Sequence, residues 1–191
     1  MYMLTFHELT CNRATDRACV FTFGTFDGVH LGHQQLFYEV IAKAKAEHLL
    51  AVVLTFTTHP LSIVRPDEAL QLITTPEEKH VLLQQAGFDI SVEVPFTKEF
   101  SELSADGFID RLMHMLPIKY CIVGPDVVYG HQRLGNREHL TKKALEYGFE
   151  VIFLPKVTRG NESISSTRIR QLLREGRGGE AEQLLGRPLR L

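Results

Sequence analysis

An apolar run, Ala18–Phe23, passes through Gly24-Thr-Phe-Asp-Gly-Val-His-Leu-Gly-His33 into a helix-like segment, Gln34–His48. That order is a strand, a glycine-bearing turn of about the size of a phosphate group, and a helix, and it points to an α/β architecture. Gly24 and Gly28 permit a tight turn, and Gly32 removes a side chain where a helix would meet a ligand. A helix start offers unpaired N–H groups and partial positive charge, so the turn suits an anion. His30 and His33 stand at its mouth, where imidazole N–H groups can donate to phosphate oxygens or to a leaving pyrophosphate. The helix end by itself disfavours imidazolium there, whereas a bound triphosphate favours it.

The rest of the chain repeats the alternation. Strands are predicted at Ala18–Phe23, Leu50–Phe56, Ile90–Val94, Tyr120–Val123 and Phe149–Leu154. Helices are predicted at Gln34–His48, Glu77–Ala86, Ala105–Met115 and Arg137–Tyr147, followed by Ile164–Arg174 and Gly179–Leu185. Gly87 and Gly148 sit at helix C-cap positions before strands, and Pro76 suits a first helical turn after Thr75. The expected fold is an open, parallel, five-stranded sheet with helices on both faces. Polar, Gly-containing segments follow the strands, at Gly24–His33, Thr57–Pro60, Gly124–Gly135 and Lys156–Thr167. Ligands of such sheets collect at the carboxyl ends of the strands, so that edge is the expected functional one.

With 191 residues and 44% hydrophobic content the chain can bury one good core, and a single domain over 1–191 is the simplest organisation. From Pro155 onward eight Lys/Arg oppose four Asp/Glu, which leaves the remainder at −6 within a total of −2. No basic stripe broad enough for a nucleic-acid surface is present. Cys11, Cys19 and Cys121 are too few for a disulfide framework and lack metal-ligand spacing, which fits a reducing cytoplasm. The longest apolar run, Leu49–Leu54, is too short to span a bilayer. The number of subunits is not readable.

Two other readings of the histidines compete with the phosphate site: solvated surface groups, or zinc ligands with His59 as a third. A dinucleotide site is disfavoured because G-x-G-x-x-G is absent. A second motif, Ile164-Ser-Ser-Thr-Arg-Ile-Arg170, reads as a helix N-cap, since Ser165, Ser166 and Thr167 can each accept a backbone N–H bond. Those hydroxyls and Arg168 and Arg170 are also donors suited to a polyphosphate. The two arginines are two apart and diverge on a helix, so at most one faces a ligand.

Thr22–Gln34, Thr55-Phe-Thr-Thr-His-Pro60, Pro95–Ser104, Gly124–Gly135, Ile164–Arg170 and Leu185-Gly-Arg-Pro188 together resemble the FAD synthetase module of the bacterial bifunctional riboflavin kinase/FMN adenylyltransferases. The resemblance runs in register from about Val20 to the end. It implies a Rossmann-like nucleotidyltransferase fold, ATP and FMN as substrates, and no riboflavin kinase domain in these residues. By position, it implies that His30 and His33 contact ATP phosphates and that Ser165, Ser166, Thr167 and Arg170 close over the triphosphate. Gly24, Phe26, Asp27, Gly28 and Gly32 then shape the nucleotide turn. His59, Asp126 and Tyr129 fall on the FMN side, with Asp126 also near magnesium. On that side Thr57 and Thr58 replace a Glu-Pro pair, Pro125 stands where an acidic residue is usual, and Val127 and Tyr129 replace two phenylalanines. Phe56, Phe96, Phe108 and Tyr129 are candidates for a flavin slot, although core packing is the ordinary role of each.

The expected reaction is adenylyl transfer from ATP to FMN, giving FAD and pyrophosphate, with Mg2+ accompanying ATP because two polyanions otherwise repel. Alternatives are the same chemistry on another phosphorylated acceptor, and a non-catalytic flavin- or nucleotide-binding module.

Overall fold

The computed structural model describes residues 2–4, 15–67, 71–159 and 162–189; Cys11 lies outside them. Six strands form one parallel sheet: β1 (Tyr2–Leu4), β2 (Cys19–Phe23), β3 (Leu50–Phe56), β4 (Ile90–Val94), β5 (Ile118–Val123) and β6 (Glu150–Phe153). Their order is β1-β4-β3-β2-β5-β6. All five expected strands are present, and β1 extends the sheet beside β4. The chain steps outward from β2 to β4, then returns to lay β5 on the other side of β2. The reversal of direction, where a crevice opens in such sheets, therefore lies between β2 and β5.

Every residue of β2, β3 and β4 is buried, as expected of strands covered on both faces. Side chains alternate between two cores. Cys19, Phe21 and Phe23 join Val52, Leu54 and Val92 beneath Phe108 and Leu112 of a helix at Ala105–Met115. Val20, Ala51 and Val53 pack on the opposite face against Leu36, Phe37 and Val40. Burying each side chain of this size contributes about 1.5–3 kcal/mol.

The helices are α1 (Leu31–Ala46), α2 (Pro60–Val64), α3 (Pro76–Ala86), α4 (Lys98–Ser101), α5 (Ala105–Met115), α6 (Arg137–Tyr147), α7 (Ser166–Arg174) and α8 (Gly178–Leu185). A short antiparallel ribbon, β7 (Thr158–Arg159) with β8 (Glu162–Ser163), precedes α7. Thr75 caps α3 ahead of Pro76, and Gly87 and Gly148 end α3 and α6 with φ of 97° and 78°. These are left-handed caps that glycine adopts without strain. α7 and α8 pack on each other through Ile169, Leu172, Ala181 and Leu185.

Two boundaries differ from expectation in a way that matters. α1 begins at Leu31, not Gln34, because the His30 ring itself caps it. α7 begins at Ser166, not Ile164, because Ser165 holds extended backbone as its N-cap. Among the described residues no helix is long and apolar enough to cross a membrane.

Candidate active site

The turn after β2 is built from unusual backbone. The Gly24 N–H donates to the Leu54 carbonyl at 3.0 Å, the last rung of the β2–β3 ladder. A Cβ on Gly24 would lie 2.9 Å from the Phe26 ring, so only glycine lets that ring fold back. Phe26, Gly28 and Val29 then take φ of 48°, 84° and 40°. Left-handed backbone costs of order 1–3 kcal/mol at each residue that bears a side chain, and persists only where its surroundings impose it.

Those surroundings come from distant segments. The Asp27 carboxylate accepts hydrogen bonds from the Ile73 N–H (3.1 Å), the Thr74 N–H (3.1 Å), the Thr74 hydroxyl (3.2 Å) and the Arg170 guanidinium (2.6 Å). The Gly28 N–H donates to the Thr74 hydroxyl at 3.0 Å, and Arg187 donates to the Gly28 carbonyl at 3.0 Å. Gln34 donates to the carbonyls of Val29 and Leu185, each at 2.8 Å, and so ties the turn to the end of α8. Phe26 packs edge-on against Phe37 and His33, with centroids 4.9 and 5.2 Å apart.

His30 and His33 meet at the head of α1. The His33 backbone N–H donates to His30 Nδ1 at 3.3 Å, which places the proton of the neutral His30 ring on Nε2. The two rings stack with centroids 3.6 Å apart and planes 17° from parallel. Burial pushes the His30 pKa down to about 4, against a weaker upward pull that includes Asp27. Burial also holds His33 well below its ordinary value, with His30 and Lys79 adding to the effect. Both rings are therefore uncharged at neutral pH, and burial is the leading cause where the helix end had been expected to act.

The hydroxyl-arginine motif reaches the same turn. Ser166 donates to the Asp27 carbonyl at 2.9 Å, and Ser165 accepts the Arg168 N–H at 3.2 Å. Val157 lies against Gly32, where a Cβ would come within 3.8 Å of it. Thr167 is exposed. The arginines do diverge, but neither stands open over the turn. Arg168 pairs with Glu162 at 3.1 Å. Arg170, expected to close over the triphosphate, is buried and turned inward onto Asp27, with its Nε donating to the Gln71 carbonyl at 3.0 Å.

On the acceptor side the expected residues scatter. His59 does join the group: its Nδ1 accepts the Leu61 N–H at 3.1 Å, and its Nε2 lies 3.4 Å from Arg170 Nη2. An imidazole carries at least one N–H, so it cannot accept from both. Burial and the guanidinium together lower its pKa. Asp126 sits just past β5 at the expected edge, 72% exposed at its side chain and paired with Lys156 at 2.7 Å. Tyr129 packs inward. Its ring is buried against Phe23 and Phe108, with centroids 5.5 and 5.4 Å away, and its hydroxyl meets His139 at 2.7 Å. It is part of the core. The zinc alternative also lacks support, since no three His, Cys, Asp or Glu converge among the described residues.

Lys79 and Thr74 belong to this site and were not singled out from the sequence. Lys79 lines a pocket at the ends of β2 and β3 with Thr25, Asp27, Thr57, His59 and Thr74. Its sequence signal is a cation one turn into a helix, where the macrodipole disfavours it.

Several known proteins are similar to this chain. The model of the FAD synthetase family matches residues 12–168. The bifunctional riboflavin kinase/FMN adenylyltransferase of Listeria monocytogenes is 38% identical over 185 residues, covering 95% of this chain and 58% of that protein. The enzyme of the same name from Escherichia coli K12 is 36% identical over 183 residues, with the same coverage. The chain thus spans 58% of the length of these bifunctional relatives. A protein named FAD synthetase, also from Listeria monocytogenes, is 32% identical over 183 residues, covering 95% of this chain and 74% of that one. Among solved structures, one described as a macrolide-efflux protein from Streptococcus pneumoniae superposes with a TM-score of 0.86 at 30% identity, over 99% of this chain and 61% of that one. A pantoate-beta-alanine ligase from Francisella tularensis, at 14% identity and TM-score 0.54 over 96% of this chain and 86% of that one, shares the fold alone.

Proposed function

Because the chain belongs to the FAD synthetase family, we propose that it transfers the adenylyl group of ATP to FMN, giving FAD and pyrophosphate. The observation that carries this reading is the pair of stacked, uncharged imidazoles at the head of α1, with the start of α7 anchored to the same strained turn. A phosphate oxygen of FMN attacks the α-phosphorus of ATP in line. The new P–O bond forms as the bond to the oxygen bridging the α- and β-phosphorus breaks, and its electron pair leaves with pyrophosphate.

That nucleophile is already adequate at neutral pH, so the reaction needs positioning and charge stabilisation, not a protein nucleophile. The free N–H groups at the head of α1 and the Nε2–H of His30 supply donors for the departing pyrophosphate, with His33 stacked beside it. Because the donors are fixed before ligand arrives, little reorganisation is needed in the transition state. Orientation of the two substrates contributes about 7–11 kcal/mol in such sites, and one donor to developing charge about 3–4 kcal/mol. Gly24, Phe26, Asp27, Gly28 and Gly32 shape the nucleotide turn, and Ser165, Ser166 and Thr167 bound it from the α7 side. Arg170 acts through Asp27 as a positioning residue.

Magnesium belongs to this reading as part of the MgATP substrate. The Asp27 oxygens already accept N–H and O–H donors, and the described residues form no cage of three His, Cys, Asp or Glu. An ion held by phosphates and water, with Asp126 as the carboxylate at the strand edge, fits that donor set.

The test is direct. Purified protein incubated with MgATP and FMN should form FAD and pyrophosphate in equal amounts. Pyrophosphate release only with a different phosphorylated acceptor would move the acceptor assignment, and micromolar binding without release would leave a binding module.

A further inference from the structure

Lys79 is 7% exposed, yet its ammonium is held by two neutral groups, the Thr25 carbonyl at 3.0 Å and the Phe56 carbonyl at 2.5 Å. An ammonium has three N–H donors, so one remains. Lysine is almost never buried without a carboxylate, because an uncompensated charge out of water is expensive. Here no carboxylate pairs with it among the described residues. Asp27 is taken by Arg170 at 2.6 Å, and Glu93 by His80 at 2.6 Å and Ser91 at 3.4 Å. Asp27 and Glu93 offset the charge of Lys79 only through space, so the ammonium lines the pocket with no carboxylate in contact.

We propose that Lys79 is the cation that receives the phosphate monoester of the acceptor, in the pocket at the ends of β2 and β3. The inference rests on the adenylyl-transfer reading above and adds to it the residue that distinguishes a phosphorylated acceptor from its unphosphorylated counterpart. The pocket shares Asp27 with the nucleotide turn, so the acceptor phosphate is held next to the triphosphate with the Asp27–Arg170 pair between the two sites. Thr25 and Thr57 add hydroxyls to the same wall, whereas the Thr74 O–H is already given to Asp27. Thr57 is one of the positions at which the chain departs from its family pattern. A lysine that merely pinned the ends of β2 and β3 would leave no preference for a phosphate.

Calorimetric titration of the wild type and Lys79→Gln with FMN and with riboflavin, both with a non-hydrolysable ATP analogue bound, separates these roles. The variant should bind FMN at least about tenfold more weakly while riboflavin affinity stays within about twofold, and Lys79→Arg should recover most of the loss. Equal loss for both flavins, loss of the ATP analogue, or unchanged FMN binding overturns the proposal. Should Lys79→Gln fail to fold, the wild type decides: the Lys79 Nζ resonance must move with FMN and stay still with riboflavin. A wild type that makes no FAD counts against the FMN reading alone. Inorganic phosphate titrated onto both proteins with the ATP analogue bound then decides the site. Loss of phosphate binding in the variant supports it, and equal binding or none in the wild type overturns it.

Discussion

Phe26 to His30 are all buried, and the backbone there is held by side chains arriving from residues 34, 74, 166 and 187. Across the cleft, Asp126 has 72% of its side chain in solvent, and its partner Lys156 has 53%. The first region is settled before any ligand arrives; the second is a surface ion pair of the kind worth about 0–1 kcal/mol. The contrast follows the chemistry. In the proposed reaction charge develops on the departing pyrophosphate, and donors stabilise developing charge best when they are already in place. In that reading the acceptor brings its nucleophile ready-made, so the side proposed for it can vary, and Thr57, Thr58, Pro125 and Val127 depart there from the family pattern.

The largest expected effect tests how far the buried side depends on its ion pair. Asp27→Ala leaves the Arg170 guanidinium buried and unpaired, and should lower stability by about 3–5 kcal/mol in denaturant titration. A loss under 1 kcal/mol would show that the turn stands without that pair.

Acid should weaken the same region. The folded pKa of His30, about 4, lies below the ordinary 6.5, so between those values the unfolded chain binds a proton that the folded one does not. Stability is then fully present above about pH 6.5 and falls as pH drops toward 4, by up to about 3 kcal/mol. His30→Gln should flatten that slope in chemical denaturation followed across pH.

Catalysis should respond on a comparable scale. Removing either His30 or His33 should lower turnover by about a hundredfold or more in the FAD-formation assay. Effects below tenfold for both would reassign the head of α1. The smallest change belongs to the open side: Lys156→Ala should alter stability by less than about 1 kcal/mol.

Much of this architecture was legible before the coordinates. The β-branched runs marked five strands because fully covered parallel strands need continuous apolar sequence, and Gly87 and Gly148 marked helix ends because left-handed caps favour glycine. The start of α1 was misplaced because histidine is not an ordinary cap; only the folded turn presents His30 Nδ1 to the His33 N–H. Arg170 was legible as a donor, but its capture by Asp27 joins residues 143 apart in sequence, which no local pattern encodes. Lys79 was hidden for the same reason: Thr75-Pro-Glu-Glu-Lys79 reads as a plain helix entry, and the two carbonyls that hold its ammonium belong to the turn after β2 and to the end of β3. Tyr129 shows the converse limit, since an aromatic near a binding loop looks alike whether it packs inward or outward.

A valine at φ 40° has a consequence for how the molecule fails on warming. Left alone, that peptide would swing back to ordinary backbone, and the start of α1 would turn with it. The grip of Thr74, Gln34, Ser166 and Arg187 prevents this, and those contacts lie outside the sheet. Heat should loosen them while the strands remain paired, so enzymatic function should vanish several degrees before far-ultraviolet dichroism records any melting.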